Sequence, residues 1–183
     1  MNTHPPSELL EAIATKEREL DVLRRRLAAF REAIRLPAGR VGVLRCRLGG
    51  SHVAFREDEI DEVVAMAELL VLPNSPAWLM GLLTVGRVRI PVLDLVARDT
   101  GVRRTADPSE HVVLATVAGR RLGVVVDELE SLDTLEGSDV ARPSADLPFA
   151  AHVVGVADVG ERPTLLLSME PLVAELPLVE GAG

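Results

Sequence analysis

The sequence predicts a mainly β protein preceded by a long N-terminal α-helix. Short runs of alternating apolar and polar residues, separated by turn residues, fill residues 41–175. A strand–turn–strand pattern occurs twice, at residues 41–56 and 111–126, and predicts two similar subdomains. Short strands at such close spacing are typical of small barrels or a sandwich and disfavour a parallel sheet.

Residues 1–35 predict the helix. Ser7 is a suitable N-cap after two prolines, and neither Gly nor Pro occurs from there to Arg35. At 1.5 Å per residue the helix would be roughly 40 Å long. One stripe of it is apolar with a heptad spacing, formed by Leu9, Ile13, Leu20, Leu23, Leu27, Phe30 and Ile34. The stripe either packs back on the domain or forms a coiled coil with a second copy or a partner helix; the sequence favours the coiled coil.

The remaining boundaries follow from turn and capping residues. Residues 36–40 are predicted to be a linker, residues 41–175 the β domain, and residues 176–183 a frayed tail. Asp94 is a suitable N-cap for a short helix that ends at Gly101. The other predicted elements are a helical turn at 77–80, strands at 87–93, 128–135, 152–157 and 164–167, and a short helix at 169–176.

Composition limits the class of protein. Hydrophobic residues make up 48% of the 183 residues and aromatic residues only 2%, which predicts a core of Val, Leu, Ile and Ala. The net charge of −8 argues against sequence-independent nucleic-acid binding, which requires a basic surface. Cys46 is the only cysteine, so no intrachain disulfide framework exists. The apolar region 69–85 is broken by prolines, so we expect no membrane insertion and a cytoplasmic location.

The acidic and histidine residues do not predict an enzyme. Asp127, Glu128 and Glu130 are best interpreted as a strand end and an exposed edge, and Asp94 as a helix cap. The four histidines lack the spacing of zinc ligands, and neither standard glycine-rich phosphate loop is present. We therefore expect no catalytic residue, no metal site and no cofactor. Trp78 is either a binding anchor or a core residue that closes the end of a barrel.

Four motifs follow one another along the predicted β domain: Leu48-Gly49-Gly50 with residues 59–64, the proline loop of residues 73–81, Pro91-Val92-Leu93-Asp94-Leu95, and residues 123–129. In this order they resemble the CheW-like family, the adaptors of bacterial chemosensory arrays. The resemblance covers residues 41–175. It implies two intertwined, SH3-like, five-stranded β-barrel subdomains that share an apolar core.

The resemblance also implies a function and its partners. Such adaptors are non-enzymatic and couple the cytoplasmic tip of a chemoreceptor, in a membrane receptor array, to the regulatory domain of a CheA-type histidine kinase. One departure lies in the turn, where Thr84-Val85-Gly86-Arg87 replaces the usual Asn-Leu-Arg-Gly and exchanges the arginine with the glycine. The predicted partner-binding residues are Leu83, Val85, Arg87, Val88, Val126, Asp127 and Glu128.

An alternative function lies outside chemotaxis. The heptad helix would dimerise or bind a partner bundle, and the CheW-like barrels would serve another signalling or assembly complex. The adaptor hypothesis predicts that the β domain binds a kinase regulatory domain, and the alternative predicts that it does not.

Overall fold

The computed structural model describes residues 39–159, 162–174 and 176. The predicted heptad helix with its seven apolar residues and most of the predicted linker lie outside the described residues, as do residues 177–183 of the predicted tail. The predictions made for them stay predictions. Arg40, which the sequence places in the linker, is the first residue of strand β1.

Ten strands and two short α-helices make up the described chain. The strands are β1 Arg40–Leu48, β2 Ser51–Arg56, β3 Glu62–Ala65, β4 Leu79–Val85, β5 Val88–Leu93, β6 His111–Val117, β7 Arg120–Val126, β8 Glu128–Glu136, β9 Val153–Val159 and β10 Arg162–Leu167. The α-helices are α1 Leu95–Thr100 and α2 Glu170–Val173, and 3₁₀ helices span Glu57–Glu59 and Gly137–Asp139.

The strands form two five-stranded sheets that exchange one strand each. The first sheet has the order β8-β1-β2-β10-β9 and the second the order β3-β6-β7-β5-β4. Strand β3 follows β2 in the chain but joins the second sheet, and β8 follows β7 but joins the first. The two halves are therefore intertwined, as the family resemblance implies.

The two sheets are built to the same plan. Each contains one parallel pair, β10 with β2 and β5 with β7. Equivalent backbone bonds also recur, because Asp94 N donates to Trp78 O at 2.8 Å and Ser168 N donates to His152 O at 3.0 Å. These correspondences support the prediction of two similar subdomains.

The core is aliphatic, as the composition predicts. One buried cluster takes side chains from both sheets, among them Leu44, Phe55, Val113 and Leu167. A second cluster belongs to the second sheet and includes Met66, Met80, Leu83, Ile90, Val92 and Val125. Burial of both faces explains why several strands are nearly continuous in apolar residues.

Several predicted elements are confirmed and two are corrected. Both predicted hairpins form, and Asp94 caps α1, whose C-cap Gly101 has a φ of 71°. The predicted helical turn at 77–80 is too long. Residues 77–78 form a turn, in which Leu79 N donates to Pro76 O at 3.1 Å, but Leu79 begins β4 and pairs with Leu93, and this long-range pairing overrides the local pattern. The predicted helix at 169–176 is also too long, because α2 spans only Glu170–Val173.

Candidate partner-binding surfaces

The β4–β5 turn presents part of the predicted binding residues to solvent. Gly86 has a φ of 62°, so the glycine occupies the turn position that requires a left-handed backbone. Arg87 is exposed, Val88 is 48% exposed, and Val85 is half-buried. Leu83 is only 2% exposed and packs in the core of the second sheet, so it supports the turn from below.

The other predicted residues lie where β7 ends and β8 begins, and they differ in role. Val126 is fully buried, whereas Glu128 is exposed at the start of β8. Asp127 lies where the chain crosses from the second sheet to the first. Its Oδ2 accepts a hydrogen bond from Gly49 N at 2.7 Å, and its N donates to Arg47 O at 2.9 Å. Asp127 therefore fixes the β1–β2 turn.

Arg104 is a residue that the sequence prediction missed. It lies in the loop before β6, and its guanidinium is surrounded by three carboxylates. Its Nε lies 2.7 Å from Asp94 Oδ2, and its Nη1 lies 3.3 Å from Asp127 Oδ1 and 3.4 Å from Glu110 Oε1. We call these four residues the Arg104 clamp. Little in the sequence indicates this role, because Arg104 lies in a loop without periodicity and its partners lie 6 to 23 positions away along the chain.

Burial governs the charges of the Arg104 clamp. Asp94 is fully buried, and its Oδ1 also accepts a hydrogen bond from Ala97 N at 3.0 Å. Burial raises the pKa of the Glu110 carboxyl, although its bond to Asp107 N and the charge of Arg104 oppose this rise. Burial would lower the pKa of Arg104, but the hydrogen bond to Asp94 and the three carboxylate charges outweigh it and raise that pKa.

A groove beside the Arg104 clamp was also missed by the sequence prediction. Its volume is about 580 Å³, and its lining is mostly apolar. Met66 and Met80 form its buried floor, and the stretches 67–69 and 103–106 lie along it. Val71, 62% exposed, lies at its rim. A groove of this size and apolarity falls in the range of ligand and peptide sites.

A second polar network lies on the first sheet. Glu130 contacts Arg45 Nε at 2.9 Å and His52 Nδ1 at 2.9 Å, and Arg45 Nη1 donates to Val159 O at 2.8 Å. Glu130 is therefore a structural partner of β1 and β2. Burial, followed by the charge of Glu130, raises the pKa of the neighbouring Cys46 thiol to about 12.

Trp78 is partly buried and packs against the shared core, with Arg98 lying 5.7 Å from its ring centroid. This position agrees with the core interpretation of Trp78. Within residues 39–159, 162–174 and 176, no group of His, Cys, Asp and Glu side chains is arranged to hold a metal ion. The same part of the chain contains no helix that is long and apolar enough to cross a membrane.

Comparisons with known proteins agree with this architecture. A probable chemotaxis protein CheW of Rhizobium etli is 24% identical over 133 residues, which cover 70% of this chain and 84% of the relative. The chemotaxis protein CheW of Klebsiella aerogenes is 22% identical over 141 residues, covering 74% of this chain and 84% of the relative. The crystal structure of the scaffolding protein TtCheW from Thermoanaerobacter tengcongensis superposes with a TM-score of 0.65 at 18% identity, covering 74% of this chain and 88% of that chain. The model of the CheW-like domain matches residues 42–176, and the chain therefore belongs to the CheW-like domain family.

Proposed function

We propose that this protein is a non-enzymatic scaffold that couples chemoreceptors to a CheA-type histidine kinase in a bacterial chemosensory complex. The observation that carries the proposal is the CheW-like match over residues 42–176 together with the two intertwined sheets. The names of the relatives, chemotaxis protein CheW and scaffolding protein, point to the same role. The protein would act in the cytoplasm, recruited to membrane receptor arrays.

The exposed residues of the β4–β5 turn are the proposed contacts with the kinase regulatory domain. Val85 and Val88 supply apolar surface, and Arg87 supplies a charge that makes no hydrogen bond or ion pair within the described part of the chain. Glu128 is the proposed exposed contact of the second half. Leu83, Val126 and Asp127 would act indirectly, because they hold these surfaces in place from the core and the β1–β2 turn.

Scaffolding also accounts for the acidic residues without catalysis. Asp94 and Asp127 are engaged by Arg104 and by backbone amides, and Glu130 is engaged by Arg45 and His52. A carboxylate committed to several structural bonds is a poor candidate for a general acid or base that must exchange protons with a substrate.

The test is light scattering after size-exclusion chromatography, with and without a CheA-type regulatory domain. The wild-type full chain is compared with Val88→Asp, which places a charge on the turn surface, and with Leu132→Asp. Leu132 is 70% exposed on β8 and serves as a matched control. We expect the wild type and Leu132→Asp to bind the kinase domain and Val88→Asp to bind at least tenfold more weakly. Failure of the wild type to bind would exclude the kinase-coupling role.

The same experiment on residues 36–183 addresses the alternative function. If the truncated chain still binds the kinase domain while only the full chain self-associates, the N-terminal segment is an added oligomerisation element. If neither chain binds the kinase domain and the full chain alone self-associates, the protein is an interaction module outside chemotaxis.

A further inference from the structure

Within the described residues, the walls of the groove contain backbone groups without hydrogen-bond partners. Residues 67–69 follow β3, and residues 103–106 precede β6; neither stretch contains a turn, a bend or a strand. None of their N–H or C=O groups forms a hydrogen bond within the described part of the chain. Both stretches line the same groove. Unpaired backbone groups on both walls are complementary to another backbone in an extended conformation.

The floor and rim of the groove specify apolar side chains. Met66 and Met80 are both less than 10% exposed and belong to the core of the second sheet. Methionine side chains adapt their shape to different apolar partners. At the rim, Val71 is 62% exposed, so the apolar surface extends beyond the floor. Alternate side chains of an extended segment would point toward this floor and away from it.

The groove lining carries three charged side chains, which are Arg103, Arg104 and Glu68. Arg103 donates hydrogen bonds to the carbonyl oxygens of Ser75 and Pro76. Arg104 is already engaged by the three carboxylates of its clamp. Glu68 is exposed and makes no ion pair within the described residues. A partner with a basic residue beside its apolar residues therefore complements the groove.

We propose that the groove between residues 67–69 and 103–106 binds an extended, apolar and basic peptide segment of a partner protein by backbone pairing. The segment pairs its backbone with one or both walls, places alternate apolar side chains on Met66 and Met80, and presents a Lys or Arg to Glu68. This site lies apart from the predicted contact residues of the β4–β5 turn. It goes beyond the proposed function, since it does not depend on a kinase.

The test uses the full chain and a defined pool of acetylated octapeptides. The peptides alternate Thr with Val, Leu or Met and carry a Lys at each end. A matched pool is N-methylated at alternate amides, which removes backbone donors and leaves the side chains unchanged. A third pool has the same apolar and basic composition, held in a helix by a side-chain crosslink. Binding is followed by fluorescence anisotropy and by the amide NMR shifts of residues 67–69 and 103–106.

One matched pair of protein variants and one charge-removing variant locate the site. Ala67→Trp fills the groove from an exposed position, and Leu132→Trp is its control on β8. We expect at least a tenfold loss of affinity for Ala67→Trp and none for Leu132→Trp. Glu68→Gln should weaken binding up to about fivefold, the range of an exposed ion pair. This loss should disappear when the Lys residues of the peptides are replaced by Gln.

The proposal predicts that the N-methylated pool binds at least tenfold more weakly than the unmodified pool. Three outcomes would overturn it. They are an absence of shifts at both walls with the unmodified pool, equal binding of the N-methylated pool, and tighter binding of the helical pool in the groove. Equal affinity of Ala67→Trp and the wild type would also place the peptide elsewhere and reject the site.

Discussion

Replacing Arg104 with methionine should strongly destabilise the fold. Methionine keeps an unbranched apolar side chain but removes the guanidinium from the Arg104 clamp. Asp94 would then remain fully buried, with the Ala97 amide at 3.0 Å as its remaining hydrogen-bond donor. Asp127 would lose the contact at 3.3 Å and keep its bond to Gly49 N.

The magnitude follows from the burial of Asp94. Removing one partner of a buried ion pair costs about 3–5 kcal/mol, because the other charge stays buried without compensation. The Arg104 side chain is 28% exposed, so water reaches part of the vacated position. We therefore expect a loss near the lower end, about 3 kcal/mol in the free energy of unfolding at neutral pH.

The assay is urea unfolding of the full chain, followed by circular dichroism, with the slope m compared between variants. Arg89→Met is the control, because Arg89 is exposed on β5 and makes no hydrogen bond or ion pair within the described residues; its effect should stay within about 0.5 kcal/mol. A double-mutant cycle with Asp94→Asn should give a coupling energy of about 1–3 kcal/mol. A cost for Arg104→Met equal to that of Arg89→Met, with no coupling to Asp94, would refute the assigned role of the clamp.

Three further predictions concern the turn, the pH dependence and the thiol. Gly49→Ala should destabilise the protein more than Gly50→Ala. Both glycines have positive φ, which costs an alanine about 1–2 kcal/mol, but only at Gly49 would the new Cβ lie 2.7 Å from Val96 Cγ2. Equal losses in the free energy of unfolding, measured in urea, would contradict this. Because burial raises the folded-state pKa of Glu110, its contribution to stability is present below the ordinary glutamate pKa and is lost as the pH rises through the raised pKa. Glu110→Gln should therefore gain stability relative to the wild type as the pH rises through that range. A stability difference that stays constant with pH would show that Glu110 titrates normally. Cys46 should react with iodoacetamide at pH 8 only after unfolding, because the native thiol is buried with a pKa of about 12, and rapid modification of the native protein would contradict its burial.

Local chemistry in the sequence was sufficient to predict much of the fold. The Asp94 cap, the glycine turns of both hairpins and the alternating residues of β1 are determined by neighbours along the chain. The helical turn predicted at 77–80 ends at residue 78 because Leu79 pairs with Leu93, and this pairing forms only when the sheet assembles. The exchange of β3 and β8 between the sheets is likewise a long-range property; the family resemblance supplied it.

The candidate surfaces were less predictable than the fold. The motif residues were identified by position, but the sequence could not separate exposed Val88 and Glu128 from buried Leu83 and Val126, because all lie in or beside strands. The Arg104 clamp joins four residues that span more than 30 positions in the chain. No periodicity connects them, so only the folded chain shows that they meet.

The groove arises from a difference between two otherwise equivalent halves. In the first sheet, the crossing strand β8 continues along β1 as far as the pair of Glu136 with Arg40. In the second sheet, the equivalent strand β3 ends at the pair of Ala65 with His111, because the turn at residues 108–109 interrupts the chain before β6. Residues 67–69 therefore pair with none of the strands in the described chain, and they line the groove. The groove therefore lies on the second sheet, where the crossing strand β3 spans four residues, against nine for the crossing strand β8 of the first sheet.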